Sequence, residues 1–252
     1  MEIAPTWTCP DIRPPDPLGL AIAHKLISDL VTGNKLPDDP VSTAGLELRA
    51  AMMLLQDDKG CTKADNKFWR SKCRSLFLRP AVEPIAQAHW ARFQNFSVDE
   101  SCALRIASAL AGRPLMYRKG PAVGRSVKGD VHFAALEAAG DWLNKLSDAA
   151  RTPSLRAVLP AYFFAETIMT HPFSDGNGRF ARLMVHAGLA QSAGVTAPLI
   201  ALAPAFYRHA DALGAALNKL HFQADWAGFY GVFFSTLDDA LRLTRAFTAR
   251  SA

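Results

Sequence analysis

A proline and two glycines interrupt two apolar helical runs at residues 171–178, and this punctuation limits the fold more sharply than any other feature of the chain. Upstream, Ser154–Thr170 carries Leu155, Val158, Leu159, Phe163 and Ile168 among its apolar positions, which predicts a helix. Pro160 inside that run predicts a kink or a late start. Downstream, Phe180, Leu183, Met184, Val185, Ala187 and Leu189 read as a buried helix whose first turn falls at Gly176–Arg179. Between the two, Pro172 disfavours the α region for His171, so the first helix must stop there with the imidazole at its boundary. Gly176 and Gly178 bracket Asn177, and the backbone there is free to approach a ligand closely.

Composition supports a folded, globular chain. Half of the 252 residues are hydrophobic and 20% are charged, enough apolar material for a core and too little charge for disorder. The longest apolar run, Ala197–Tyr207, is broken by Pro198 and Pro204 and falls well short of the ~20 residues a membrane span requires. Met1–Pro5 has neither the basic nor the apolar segment of a secretory signal, so a cytoplasmic protein is expected, with export by an unrecognised signal as the alternative. Cys9, Cys61, Cys73 and Cys102 form no CxxC pair, and the expectation is reduced thiols, some of them buried. The net charge of +5 permits an anionic ligand without demanding nucleic acid. Lys67, Arg70, Lys72, Arg74 and Arg79 alternate with Phe68, Trp69, Phe77 and Leu78, as on a helix with one solvated face, so no nucleic-acid partner is expected.

Along the chain, seven of the sixteen prolines fall in the first forty residues and frame one helical candidate, Leu18–Val31. This region reads as an arm wrapped on a larger body. Helical spacing continues in Leu46, Ala50, Met53 and Leu54, in Ala103, Ile106 and Leu110, and over Val131–Leu146. Gly112–Asp130 departs from it: four glycines and two prolines surround short β-capable pieces near Tyr117 and Val127, which predicts a hairpin or flap. That stretch also holds Arg113, Arg118, Lys119, Arg125 and Lys128, which read by themselves as a solvated loop.

The chemistry concentrates in HPFSDGNGRFAR, His171 to Arg182. A glycine-rich turn feeding a helix N-terminus is an anion site, because unpaired N–H groups and the positive end of the helix dipole face the ligand. Arg179 and Arg182 lie three apart, on one side of the helix start, and can reach the same polyphosphate with forked donors. Asp175 is a hard oxygen ligand placed where Mg²⁺ would bridge phosphates. His171, with a pKa near neutral, suits a general base acting on a hydroxyl. Each residue alone has a plain explanation: a packed or capping histidine, an Asp-Gly-Asn-Gly turn, solvated arginines. Two arginines at a helix start are unfavourably placed for the dipole, however, unless an anion binds there. Together the residues point to phosphoryl or nucleotidyl transfer.

The same twelve residues match the motif HxFx(D/E)GNGRxxR at every specified position, and the chain resembles the Fic (filamentation induced by cAMP) family. The resemblance implies a mainly α, Fic-type helical bundle with a short β-hairpin flap before the active-site loop. It implies a helical N-terminal extension at 1–103, which would regulate the protein, and a catalytic core at 104–252. Ala205–Leu213 and the Asp225-Trp226 pair are loosely similar to the family's C-terminal helices.

The implied activity is transfer of AMP from ATP to a Ser, Thr or Tyr hydroxyl of a target protein. His171 would take the hydroxyl proton, and Asp175 would hold Mg²⁺ between the α- and β-phosphates. Gly176, Asn177 and Gly178 would form the anion hole, with Arg179 and Arg182 clamping the outer phosphates. Phe173 would anchor the loop in the core, and the flap would hold the target by strand addition. Relatives with other donors (UMP, phosphocholine, phosphate), reversal of AMP transfer, and a nucleotide-binding toxin or regulatory module without transfer remain alternatives. Glycine at 178 speaks against the kinase-like variant, in which lysine tends to stand there, and an intact His171 and Asp175 speak against a pure binder.

Many members of the family are held off by a helix of pattern (S/T)xxxE(G/N). Thr43–Glu47 fits its first part, with Leu48 in place of Gly or Asn, which makes Glu47 the inhibitory candidate. A separate small antitoxin-type protein is the other source of such a helix.

Overall fold

The computed structural model describes residues 6–7, 9–15, 17–32, 98–126, 129–133, 139–193, 200 and 202–248. Glu47 and its helix pattern, and the basic stretch Lys67–Arg79, lie outside the described residues. What is described is mainly helical: β1 (Thr6–Trp7), α1 (Pro17–Thr32), α2 (Glu100–Ala111), β2 (Ala122–Ser126), β3 (Gly129–Phe133), α3 (Ala139–Arg151), a 3₁₀ turn at Pro153–Val158, α4 (Leu159–Thr170), α5 (Asn177–Ala193), α6 (Leu202–Arg208), α7 (Ala210–Gln223) and α8 (Trp226–Thr248). No described helix is long and apolar enough to cross a membrane.

Local chemistry explains the boundaries. Asp99 caps α2, its carboxylate accepting from the Cys102 N–H at 2.7 Å, and Gly112 closes it in the left-handed conformation at φ 67°. Pro160 produces the late start: 153–158 forms the 3₁₀ turn, and the proline sits in the first turn of α4, where its missing N–H costs nothing. The α4–α5 pair is the spine of the body. At Gly188 a Cβ would stand 2.6 Å from the Pro160 backbone, so the absence of a side chain lets the two helices touch. Phe163, Phe173 and Phe180 are fully buried along this spine, and Phe164, Phe206 and Phe233 continue the aromatic core towards α6 and α8.

The N-terminal arm wraps on that body as expected. Trp226 donates its indole N–H to Asp11 O and Tyr230 its hydroxyl to Arg13 O, each at 2.7 Å, and α1 packs against α8, α5 and the 3₁₀ turn. The hairpin expected within Gly112–Asp130 is present but shifted towards the C-terminus. β2 and β3 pair antiparallel, Ala122 with Phe133 through Ser126 with Gly129, and β1 adds parallel to the other side of β3. The expected helix over Val131–Leu146 therefore needs correcting: Val131–Phe133 is strand, and α3 begins at Ala139. Pairing with β2 claims these β-branched and aromatic residues. Among the described residues of α3, Trp142, Leu143, Leu146 and Ala149 keep the helical spacing that buries a face.

Candidate active site

His171 ends α4 in an unexpected conformation. A residue before proline favours extended backbone, yet His171 lies at φ 49°, ψ 55°, the left-handed region. Its N–H still reaches back to Thr167 O at 3.0 Å, so it forms the C-cap that a glycine would normally provide. The imidazole stacks on Phe133 of β3, ring centres 4.1 Å apart and planes inclined by 20°. Nδ1 is buried and makes no hydrogen bond among the described residues. Burial foremost, then the Arg118 charge, push its pKa down to about 4, against a weaker upward pull from the Ile168 carbonyl and Asp175. The ring is neutral at pH 7.

From His171 the chain crosses to α5 through a loop held by its own backbone contacts. Phe173 is fully buried between Tyr117, Trp142 and Phe180. Asn177, itself buried, locks the turn from the other side: Phe173 N–H donates to Oδ1 at 2.9 Å, and Nδ2 donates to Phe173 O at 2.8 Å. The Asn177 side chain is thus spent on loop shape, which leaves its backbone N–H as the group it can offer an anion. Gly176 turns the chain at φ 75°, and the α5 ladder begins with Phe180 N–H donating to Gly176 O at 3.0 Å. The first-turn N–H groups of Asn177 and Gly178 therefore have no acceptor within the helix.

The charged residues are placed less simply. Asp175 accepts from Arg113 Nη2 at 2.8 Å and from the Gly176 N–H at 2.6 Å. The Arg113 hydrogen bond foremost, with help from Gly176 and Arg179, holds its carboxyl below the usual range, so it is ionised. A single ionised, partly exposed carboxylate fits Mg²⁺, which typically binds through one or two carboxylates and completes its shell with water and phosphate. Among the described residues no cluster of three or more acidic, His or Cys groups offers an all-protein cage. Arg179 Nη1 donates to Leu110 O at the end of α2 at 2.7 Å, and Arg182 Nη1 folds back to Gly178 O at 3.1 Å. Arg179 thus has a structural task, meeting the negative end of the α2 dipole, which partly accounts for an arginine at that position.

The roles of three residues at the site escaped sequence reading. Arg118 and Phe133 bracket His171 from the flap, and Arg113 pairs with Asp175. Each lies tens of residues away in sequence, and no local spacing announces them. Main-chain bonds run alongside: Arg118 N–H donates to Pro172 O at 2.9 Å, Ser174 N–H donates to Met116 O at 3.0 Å, and Tyr117 bridges Phe173 in antiparallel fashion. The first part of the flap region is thus bound to the motif loop.

Comparison with known proteins points to the same stretch. A model of the Fic/DOC family matches residues 117–189, from the flap through most of α5. The protein adenylyltransferase fic-1 of Caenorhabditis briggsae is 46% identical over 46 residues, which is 18% of this chain. The match spans about 8% of that relative's length. Over residues 117–189, the chain is similar to the Fic/DOC family.

Proposed function

We propose that this protein is an adenylyltransferase that moves AMP from ATP to a Ser, Thr or Tyr hydroxyl of a target protein. The observation that carries the reading is a neutral His171 beside the open N-terminal turn of α5, with ionised Asp175 between them. A proton acceptor, an anion-binding helix start and a metal-binding carboxylate are the parts this reaction requires. The adenylyltransferase name of the worm relative agrees with it.

In this reading the target oxygen bonds to the α-phosphorus as its proton passes to His171 Nε2. The bond from that phosphorus to the bridging oxygen breaks, and pyrophosphate leaves. The first-turn N–H groups at Gly176–Gly178 receive charge on the phosphates, and Arg179 and Arg182 turn towards the outer ones. Asp175 would hold Mg²⁺, which would supply neutralisation of phosphate charge. Most of the rate gain would come from positioning and electrostatics. Strand addition by the target fits the flap: β1 covers one side of β3, β2 forms the opposite edge, and Met116 and Val123 are exposed apolar residues of the flap region. Residues 104–252 would be the catalytic core, with 1–103 regulating it through Glu47 or giving way to an antitoxin-type partner.

The test is transfer of label from ATP tagged at the α-phosphate to protein in a lysate. His171→Ala should abolish labelling, and mass measurement of the modified residue should show an AMP adduct. Labelling at the wild-type rate would remove His171 as base. A UMP or phosphocholine adduct would keep the fold and replace the donor.

A further inference from the structure

The backbone around His171 is gripped from the flap by the side chain of Arg118. Arg118 donates from Nε to His171 O, from Nη2 to Thr170 O at 2.9 Å and from Nη1 to Gly120 O at 2.6 Å. Two of these acceptors are terminal carbonyls of α4, where the helix dipole is negative and intrahelical donors have run out. With its main-chain N–H on Pro172 O, Arg118 grips three consecutive carbonyls, 170 to 172. Its guanidinium also stands 6.0 Å from the centre of the Phe133 ring, whose plane lies against the imidazole. Gly124 completes the arrangement: a Cβ there would lie 2.9 Å from the Phe133 ring edge and press on it.

This grip falls where the backbone needs it. A left-handed histidine before proline is disfavoured twice over, and such residues persist only where the surroundings over-determine them. We propose that Arg118 is a positioning residue for His171: it fixes the carbonyls of 170–172 and so holds the imidazole flat against Phe133, with Nε2 presented to the incoming hydroxyl. The inference rests on His171 being the base of the proposed transfer, while the placement of the ring can be read without any transfer. A guanidinium is required because only its fork reaches several carbonyls at once, whereas a lysine carries the same charge on one point.

The experiment compares Arg118→Lys and Arg118→Gln in the full chain, both checked for cooperative unfolding. The first readout is the NMR signal of the His171 ring, displaced by the ring current of Phe133 in the wild type. Both variants should lose that displacement. The charges acting on the imidazole are Arg118 from the flap and Asp175 from the loop. Loss of the buried placement should raise the His171 pKa above its value of about 4 in both variants, and more in Arg118→Gln, which also removes the charge. The second readout is AMP transfer, where Arg118→Lys should lower kcat by about 10- to 100-fold, the scale of a misplaced catalytic group, with KM for ATP within about twofold. A wild-type ring-current displacement in both folded variants would overturn the inference. So would a loss confined to KM or to thermal stability, as expected of a helix cap alone. If the wild type transfers nothing from any nucleotide, the reading of His171 as base fails, and the ring signal still decides whether Arg118 places it.

Discussion

The helical spine and the loop–flap layer beside it are held by different forces. In α4, α5 and α8 the contacts are apolar: fully buried phenylalanines, and a glycine that lets α5 touch α4 at Pro160. In the layer that surrounds His171, side chains mostly grip backbone: Arg118 on 170–171, Asn177 on Phe173, Arg179 on Leu110. Apolar burial scales with area and sets how stable the fold is. Polar contacts add little net stability but are directional, and they set where one atom sits. The spine therefore governs whether the protein folds, and the layer governs whether the site has its shape.

The sharpest way to break this contrast is Phe180→Ala in the spine. The ring is fully buried against Phe173 and Trp142, and its loss should cost about 3–5 kcal/mol in urea unfolding. A cost below about 1 kcal/mol would mean that the spine is not close-packed there. A smaller effect should come from His186, a spine residue 5% exposed whose Nδ1 has no hydrogen-bond partner among the described residues.

Burial first, then the Arg182 charge, hold the His186 pKa down to about 3, against a usual 6.5. Below about pH 6.5 the unfolded chain takes up a proton that the folded ring refuses, so stability is full above that pH and falls towards about pH 3. His171 acts in the same direction down to about pH 4. His186→Leu should flatten this acid limb, and should leave stability at pH 7 equal or higher because an orphaned polar group is removed. An unchanged acid limb would show that His186 does not stay neutral in the fold.

The smallest expected effect lies in the layer. Arg113 and Asp175 are substantially exposed, so Arg113→Gln should change stability by less than about 1 kcal/mol. The same change should raise the Asp175 carboxyl pKa in an NMR titration, because the Arg113 hydrogen bond is the main force lowering it. A large stability loss without a pKa change would place Arg113 with the spine.

Legibility divides along the same line. Helices α1, α2, α4 and α5 were readable because apolar residues recur at helical spacing and Gly or Pro marks where helices turn. The late start at Pro160 was readable for the same reason. Val131–Phe133 was not: three β-capable residues beside a helical run carry no sign of which partner will claim them. At the site, His171, Asp175, Gly176, Gly178, Arg179 and Arg182 could be singled out because they sit together in twelve residues. The use of the Asn177 side chain on Phe173 could not, nor could the left-handed turn at His171, where the proline rule pointed to extended backbone.

By itself the sequence determined the helical spine, the break at 171–178 and the reactive groups carried on it, since these depend on neighbours within a few positions. The tertiary structure decided which groups surround the imidazole. Arg118 meets His171 across 53 positions and Arg113 meets Asp175 across 62. Contacts of that separation arise only after the flap docks on the spine, and burial and facing charge then set the protonation of His171 and Asp175.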